Sequence, residues 1–287
     1  MDLTILSYNT HLFLDSLAAR AAGARKAGEL LLHQDEARLH GLMARLSALA
    51  PPPAIIGLSE VWAHSVSDRI RESLPVGYET FRFSGEPWHK GSCGLVLGVR
   101  GRFVDPCGFL NYEGLIESDS WSAKGVVYAK AAIGDRKVLI VQTHAQASYV
   151  GKEKVCEAAR RRQLQATLFK VLDEEADFLG PAFLLGDLNI VAGSDDYRWF
   201  STQMAARGYR DAWFAAEGAG PGYTYRPRHN SLIPLFDETE TLDQRLDYIF
   251  YRPAASTVRR AQVLTDFTTA RGLELSDHEP LLVTFEV

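Results

Sequence analysis

Side chains able to bind a metal ion or to move a proton stand where several apolar segments of the 287-residue chain end. The members of this set are Asn9, Glu60, His144, Asp187, Asn189, Asp247, Asp277 and His278. Carboxylates are the hard oxygen ligands that Mg²⁺, Mn²⁺ and Ca²⁺ prefer, and histidine moves protons near neutral pH. No member resembles a covalent nucleophile with a base beside it. The residue types therefore predict hydrolysis by a water molecule that a metal ion activates.

Taken singly, each of these side chains also has a structural explanation. A glutamate after an apolar run is most often a solvated strand end, and an Asp-His pair is most often part of a loop or a cap. Gly-Asp-Leu-Asn at positions 186–189 is an ordinary turn sequence. Because six such strand ends with these residue types occur in one chain, the pattern favours an active site over the structural explanations.

The apolar runs predict the elements that position this set. Strands are expected at residues 3–8, 54–59, 95–99, 126–133, 138–143, 182–185, 246–251, 258–264 and 281–287. Helices are expected within 15–49, up to the prolines at 51–53, and at 67–74, 153–178 and 197–207. Gly134-Asp135 predicts a turn that joins two strands as a hairpin. This order predicts an α/β fold of two packed sheets covered by helices, built as a single domain over residues 1–287.

Composition and charge narrow the classes of partner. Hydrophobic residues make up 46% of the chain and charged residues 23%, as in ordinary soluble domains. The net charge of −5 disfavours a nucleic acid partner, because nucleic-acid-binding proteins usually carry a basic face. We expect no transmembrane segment, since no apolar run approaches the ~20 residues that span a bilayer.

Cysteine usage and the N-terminus bear on localisation. Cys93, Cys107 and Cys156 are an odd number at wide spacing, which argues against a disulfide framework or a zinc site and leaves a single disulfide as the alternative. The first residues lack the pattern of a secretory signal. We therefore expect a reducing, cytoplasmic setting, or secretion if a signal peptide has been removed. We also expect the protein to be a monomer.

Six segments carry a resemblance to a known family. They read LSEVW at 58–62, SDSWSAKGVVYAK at 118–130, QTHAQA at 142–147, LLGDLNI at 184–190, RLDYIFYR at 245–252 and LSDHEPLLVTFEV at 275–287. Together they resemble the endonuclease/exonuclease/phosphatase superfamily over essentially the whole chain, which implies the DNase I-like four-layered α/β sandwich. The Trp–Lys–Gly stretch and the His-x-Gln-Ala segment are most similar to the neutral sphingomyelinases. The resemblance implies a Mg²⁺-dependent phosphodiesterase (with Mn²⁺ or Ca²⁺ as the alternative ion) that releases the head group of a phospholipid.

The resemblance also implies a ligand set on the metal side of the site. Glu60 is expected to be the main metal ligand, and Asn9 to lie beside it on the metal or phosphate side. Asp187 and Asn189 are expected to hold the attacking water and the phosphate.

Proton transfer is assigned, through the same resemblance, to a second group of residues. His278 is expected to be the general base, and Asp247 to accept a hydrogen bond from its ring. Asp277 is expected beside these two residues, as a ligand of a second metal ion or as a group that orients them. His144 is expected to donate to a non-bridging phosphate oxygen and so to stabilise charge in the transition state.

The chain departs from the family pattern at two places. Thr10-His11 stand where many relatives have Cys-Trp, and we expect a surface or capping role for His11, with the edge of the site as the alternative. Ser148-Tyr149 follow the Gln-Ala pair, where the secreted bacterial sphingomyelinases have an acidic residue. The intracellular-type enzymes are therefore the nearer match.

Substrate contacts are expected from Lys124, Trp121 and Tyr149. Lys124 lies in the Trp–Lys–Gly stretch and is assigned to the phosphate, with a solvated lysine as the alternative. Trp121, Tyr149, Trp88 and the SLIPLF segment at 231–236 are candidates for peripheral contact with a membrane, with burial in the core as the alternative.

Three functions compete. The first is a sphingomyelinase-like phospholipid phosphodiesterase. The second is a nuclease or another phosphoesterase of the same fold, which a basic rim would favour and the sequence does not show. The third is a catalytically silent binding protein, which is disfavoured because every expected catalytic residue type is present. Inositol-phosphate phosphatases rank lower, because Gln-Arg-Leu-Asp at 244–247 stands where they carry a Trp-Cys-Asp-Arg-like segment.

Overall fold

Two β-sheets packed face to face form the centre of the structure, a computed structural model that describes residues 1–16, 34–85, 91–216, 220–236 and 238–287. The strands are β1 (Asp2–Leu12), β2 (Ile55–Val61), β3 (Tyr78–Phe81), β4 (Val96–Arg100), β5 (Arg102–Phe103), β6 (Gly108–Asn111), β7 (Gly125–Ile133), β8 (Arg136–His144), β9 (Ala182–Asp187), β10 (Arg210–Asp211), β11 (Asp247–Tyr251), β12 (Thr257–Val263) and β13 (Leu281–Glu286).

The first sheet has the order β12-β13-β1-β2-β4-β3, and the second has the order β10-β11-β9-β8-β7-β5 with β6 also paired to β7. Strand β1 runs parallel to β2, and β8 runs parallel to β9, whereas the other neighbours are antiparallel. Both sheets are therefore mixed. The predicted hairpin is confirmed, since β7 and β8 pair antiparallel up to Ile133 and Arg136.

Helices cover the outer face of each sheet. They are α1 (Asp35–Ala48), α2 (His64–Ser73), α3 (Glu153–Gln163), α4 (Phe169–Glu174), α5 (Asp195–Ala206), α6 (Ala212–Ala215) and α7 (Ile233–Phe236), with a 3-10 helix at Glu117–Trp121. A π-helical segment, Leu164–Leu168, joins α3 to α4. The helical stretch predicted to reach residue 178 thus ends at Glu174, and the part of the first predicted helix at residues 17–33 lies outside the described residues.

Alternating side chains on the strands build three apolar layers. On β1, Ile5 faces the space between the two sheets, while Leu6 faces α1 and packs near Leu42. On β9, Phe183 faces the other sheet, while Leu184 faces the helices of the opposite outer layer. This period-two pattern follows from strand geometry, and it confirms the predicted α/β architecture of two sheets flanked by helices.

The described part of the chain contains no helix that is both long enough and apolar enough to cross a bilayer. Cys93, Cys107 and Cys156 are all free thiols, so none of the three forms a disulfide.

Candidate active site

The ends of the central strands bring the predicted side chains together at one edge of the sandwich. In the parallel pair β1–β2, Asn9 lies opposite Ser59, directly before Glu60, and in the parallel pair β8–β9, His144 lies opposite Asp187. Asp247 begins β11 opposite Asp187. Parallel neighbours end at the same edge of a sheet, so their terminal side chains converge there.

Asn9 joins the two sheets within the site. Its Nδ2 donates to Glu60 Oε1 at 3.0 Å and to Asp187 Oδ2 at 2.9 Å. Its Oδ1 accepts the backbone N–H of His11 at 3.1 Å. One buried amide thus sets the separation of two carboxylates that come from different sheets.

His278 and Asp247 form a buried hydrogen-bonded pair, with 2.7 Å between His278 Nδ1 and Asp247 Oδ2. The other ring nitrogen, Nε2, lies 3.9 Å from Asp187 Oδ2. Burial alone would lower the pKa of His278, but the charges of Asp247, Asp187 and Asp277 outweigh it and raise that pKa well above its usual value. The Tyr225 ring and the imidazole pack edge to face, with 5.3 Å between the ring centroids.

Asp187 lies at a tight turn that only glycine allows. The preceding Gly186 has a φ of 137°, and a Cβ there would lie 1.8 Å from the carbonyl oxygen of Thr143. Asp187 Oδ1 accepts the backbone N–H of Asn189 at 2.8 Å, and Asn189 Nδ2 donates to the carbonyl of Ala145 at 3.2 Å. Burial raises the pKa of Asp187, and the nearby His278 opposes that shift without cancelling it.

His144 is fully buried between the two sheets. Its Nε2 lies 3.6 Å from Asp187 Oδ2 and 3.8 Å from Glu60 Oε1. Burial, together with the positive charge of Lys124 and then that of His278, lowers the pKa of His144 well below its usual value. The ring is therefore neutral near pH 7 and can donate only one hydrogen bond.

Glu60 occupies a left-handed backbone conformation, with a φ of 60°. Its Oε2 accepts a long hydrogen bond from Trp62 Nε1 at 3.4 Å, and the Trp62 ring packs over Gly94. Non-glycine residues seldom adopt such a φ, and the surrounding contacts that hold it are typical of functional sites. The carboxylate is 15% exposed, so it faces an opening rather than the core.

The preferred interpretation of His11 was wrong, and its alternative, a place at the edge of the site, is confirmed. A surface or capping role was expected, but His11 is 8% exposed, and its Nδ1 lies 3.3 Å from Asp277 Oδ2 and 3.6 Å from Glu60 Oε2. Its position two residues after Asn9 was the available signal, since alternate strand residues share a face. The predicted strand ended at residue 8, whereas β1 continues to Leu12.

A buried arginine on α1 fixes this end of β1. Arg38 is 0% exposed, and its guanidinium donates to the carbonyl of His11 at 2.8 Å and to that of Leu275 at 3.1 Å. It also forms an ion pair with Asp35. Because Leu275 lies two residues before Asp277, one side chain ties together the two segments that carry His11 and Asp277.

The acidic residues of the site form close ion pairs with histidines. Among the described residues, no Lys or Arg nitrogen forms an ion pair with Glu60, Asp187, Asp247 or Asp277, although the charge of Arg38 acts on Asp277 from farther away. Several buried carboxylates without Lys or Arg partners are unfavourable unless a cation balances them. The residues present therefore fit a hard divalent cation.

Two places within the cluster offer ligand atoms. Asp187, Asp247 and His278 present donor atoms within 4.8 Å of one another. However, the 2.7 Å contact between His278 and Asp247 is already a direct hydrogen bond. Glu60 and Asp277 are more open, with side chains 15% and 13% exposed, so a cation can reach this pair from solvent.

The three residues expected to contact substrate occupy different environments. Lys124 is 2% exposed, and its Nζ pairs with Asp119 Oδ1 at 2.8 Å, so the solvated alternative is excluded. The Tyr149 hydroxyl is hydrogen-bonded to Ser118 Oγ at 2.6 Å. Trp121 is 71% exposed, which excludes burial in the core.

Of the other membrane candidates, Trp88 lies outside the described residues. Leu232 and Ile233 of the SLIPLF segment are buried, whereas Leu235 is 39% exposed.

Comparisons with known proteins agree with this geometry. The sequence pattern of the Endonuclease/Exonuclease/phosphatase family matches residues 6–278. The fold is similar to sphingomyelinase C from Streptomyces griseocarneus, with 17% identity, a TM-score of 0.67, and coverage of 99% of both chains. It is similar to beta toxin from Staphylococcus aureus, with 16% identity, a TM-score of 0.67, and coverage of 98% of this chain and 99% of that chain.

A structure of D. rerio TDP2 complexed with single strand DNA product is equally similar, with 18% identity, a TM-score of 0.68, and coverage of 100% of this chain and 99% of that chain. No curated protein matches the chain in sequence. Together these likenesses confirm the expected DNase I-like sandwich and the superfamily resemblance, and they show a phosphoesterase fold.

Proposed function

Because the chain belongs to the endonuclease/exonuclease/phosphatase family, we propose that it is a metal-dependent phosphodiesterase that cleaves the head group from a phospholipid such as sphingomyelin. The observation that carries the hydrolytic part is the convergence of Asn9, Glu60 and Asp187 beside the His278–Asp247 pair. The cation would be Mg²⁺, with Mn²⁺ as the alternative, and Glu60 and Asp277 would hold it.

A divalent cation in this site would polarise the phosphate and offset the carboxylate charge that raises the pKa of His278. His278 Nε2 accepts a proton from the attacking water as the water oxygen bonds to phosphorus. The bond from phosphorus to the lipid oxygen breaks, and that oxygen takes up a proton from solvent. Asp247 fixes the ring through Nδ1 and stabilises the imidazolium that forms. Asp187 and Asn189 orient the water and the phosphate.

His144 supports the same reaction as a neutral donor. Because its pKa is held low, the ring is neutral and carries one proton. We assign that proton to Nε2, the nitrogen that lies beside Asp187 and Glu60, from where it can be donated to a non-bridging phosphate oxygen. Such a donor, fixed in place before the reaction, stabilises the charge that develops on phosphate in the transition state. Lys124, which is paired with Asp119, contributes a fixed positive charge near the phosphate rather than a direct contact.

An exposed apolar rim beside the site supports a lipid substrate. Trp121 and Val150 are each 71% exposed, and they lie on two loops that the hydrogen bond between Ser118 and Tyr149 joins. Exposed aromatic and aliphatic side chains of this kind enter the interfacial region of a bilayer. A net charge of −5 favours a zwitterionic surface over an anionic one.

The rim is connected to the catalytic edge through Asp119. Its Oδ2 accepts hydrogen bonds from Gln146 Nε2 at 2.9 Å and from the backbone N–H of Ala147 at 2.7 Å. Gln146 follows the end of β8, which carries His144. A lipid held at the rim would therefore present its phosphate close to His144.

Phosphocholine release from sphingomyelin vesicles, measured with Mg²⁺ present, tests the proposal. Glu60→Gln serves as the blank, because it keeps the shape of the side chain and removes the charge. We expect the variant to lose nearly all turnover with its far-UV circular dichroism unchanged. A rate within about tenfold of wild type, which corresponds to roughly 1.4 kcal/mol of activation free energy, would contradict the assignment of Glu60 to the active site.

The alternative function is hydrolysis of a nucleic acid phosphodiester, which the similarity to TDP2 bound to a DNA product supports. Two nuclease assays, nicking of a plasmid and release of nucleotides from a single-stranded oligonucleotide, separate the two functions when they are run beside the lipid assay with the same blank.

We further propose that the protein is a monomer that acts as one domain, and that it resides in the cytoplasm unless a signal peptide exports it.

A further inference from the structure

His11 occupies a position in the acidic cluster that a metal ligand would occupy. Its Nδ1 lies between Asp277 Oδ2, at 3.3 Å, and Glu60 Oε2, at 3.6 Å. We propose that His11 Nδ1 is a nitrogen ligand of the divalent cation that Glu60 and Asp277 hold. The inference rests on the metal centre of the proposed function and deepens it, since it makes the ligand set mixed rather than all-oxygen.

The distances favour a shared cation over direct hydrogen bonds. Charge-assisted hydrogen bonds between nitrogen and a carboxylate are about 2.7–2.9 Å long. Both His11 contacts are longer than this range. Two ligand atoms bound at right angles to one ion, each about 2.1 Å from it, lie about 3.0 Å apart. The two His11 spacings must shorten by about 0.3 and 0.6 Å to reach that value. Among the described residues, the ligand atoms of Glu60, His11 and Asp277 do not all lie within 4.8 Å of one another, so the two carboxylates must also draw closer around the ion.

The ring is held in place by its surroundings. The backbone N–H of His11 donates to Asn9 Oδ1 at 3.1 Å, and its carbonyl accepts from Arg38 at 2.8 Å. The Phe13 ring and the imidazole pack edge to face, with 5.0 Å between the centroids. The φ of 48° is an uncommon conformation, and these anchors maintain it. A ligand fixed before binding is what a metal site requires.

A nitrogen ligand changes which ions the site prefers. Imidazole binds Mn²⁺, Co²⁺ and Zn²⁺ better than it binds Mg²⁺ or Ca²⁺, which favour oxygen. Replacing His11 should therefore weaken Mn²⁺ binding by at least about tenfold and Mg²⁺ binding by much less. The ratio of the two dissociation constants reports on the nitrogen ligand independently of overall damage to the site.

Two substitutions suit the backbone at this position. His11→Asn places an oxygen near the position of Nδ1, and asparagine tolerates a positive φ. His11→Gly removes the donor and also tolerates it. His40→Asn is the matched control, because His40 lies on α1 with its side chain 66% exposed.

Isothermal titration calorimetry with MnCl₂ and with MgCl₂, on the full chain stripped of metal, gives the two constants for each variant. Pulsed electron paramagnetic resonance of bound Mn²⁺ detects nitrogen coupling directly. We expect coupling in the wild type and in His40→Asn, and its loss in His11→Asn and His11→Gly together with the fall in Mn²⁺ preference.

Coupling that persists without His11 would overturn the inference, because His144 or His278 would then be its source. An unchanged ratio of Mn²⁺ to Mg²⁺ affinity would overturn it as well. If the variants do not fold, the wild type alone still tests the inference, because bound Mn²⁺ without nitrogen coupling would contradict a His11 ligand. Mn²⁺ that binds wild type without coupling refutes this inference alone, whereas failure of either ion to bind refutes the proposed metal centre too.

Discussion

The buried carboxylate of Asp247, 2.7 Å from His278 Nδ1, is the group whose removal tests the proposed proton transfer most directly. Asp247→Asn keeps the size of the side chain and removes its charge. At an effective dielectric constant near 20, opposite charges about 4 Å apart attract by about 4 kcal/mol. If His278 becomes positively charged in the transition state, kcat/KM should fall by about 10²–10³-fold.

The pH dependence adds a second readout. The charge of Asp247 raises the pKa of His278, so its removal lowers that pKa. The limb of the pH profile on which His278 loses its proton should therefore move to lower pH, even as the maximal rate falls. Initial rates of phosphodiester hydrolysis between pH 5 and 9, with saturating Mg²⁺, measure both effects.

Asp266→Asn is the control for this experiment, since its side chain is 82% exposed. It should leave both the rate and the profile unchanged. A loss of less than about tenfold in a folded Asp247→Asn variant, with the profile unmoved, would refute the role of the pair as general base and partner.

Three further predictions concern the buried ion pair on α1, the thiol of Cys107 and the exposed rim. Arg38→Met should lower the free energy of unfolding by about 3–5 kcal/mol in urea, because it leaves the buried Asp35 unpaired, and adding Asp35→Asn should recover part of that loss; equal stability of both variants contradicts this. Burial raises the pKa of the Cys107 thiol to about 11, so iodoacetamide at pH 8 should alkylate it about 100-fold more slowly in the native protein than in urea, and similar rates would show an open thiol. Trp121→Ala should reduce hydrolysis of vesicle lipid several-fold more than hydrolysis of a soluble diester, and an equal effect on both would remove the rim from the lipid interface.

The sequence predicted the central strands and the residues at their ends because each signal was local. An apolar run predicts a buried strand, and the polar residue that ends it lies at the sheet edge, as Asp187 and Asp247 do. The short strands β3, β5, β6 and β10 were not predicted. They are two to four residues long and mostly half-buried or exposed, so no apolar run marks them.

Contacts between distant segments account for the rest. Nothing near Lys124 in sequence indicates that it is buried, because its burial depends on pairing with Asp119 and on the Ala145 carbonyl. His11 enters the site because β1 extends past the predicted end, and because Arg38, far along the chain, holds its carbonyl. Such placements follow from tertiary packing, which one sequence does not encode locally.

The same packing buries carboxyl groups whose ionisation is unfavourable without a cation, and the free energy of unfolding should therefore depend on pH. Burial raises the pKa of Asp187 above its value in the unfolded chain. Between those two pKa values the folded state binds more protons than the unfolded state. The free energy of unfolding therefore falls as the pH rises from about 4 toward neutrality. The raised pKa of His278 acts in the same direction above its unfolded value, near 6.5.

Urea unfolding of the metal-free protein at pH 5 and at pH 7.5 measures this fall. Asp187→Asn removes the titrating carboxyl, so its stability should depend less on pH than that of wild type. Under the proposed metal centre, Mg²⁺ would bind the folded state alone, so it should raise the free energy of unfolding of the wild-type protein at pH 7.5 by an amount that grows with its concentration. Parallel pH dependences in the two proteins would mean that Asp187 is ionised in the folded state without a cation, and the linkage between charge balance and metal binding would then be wrong.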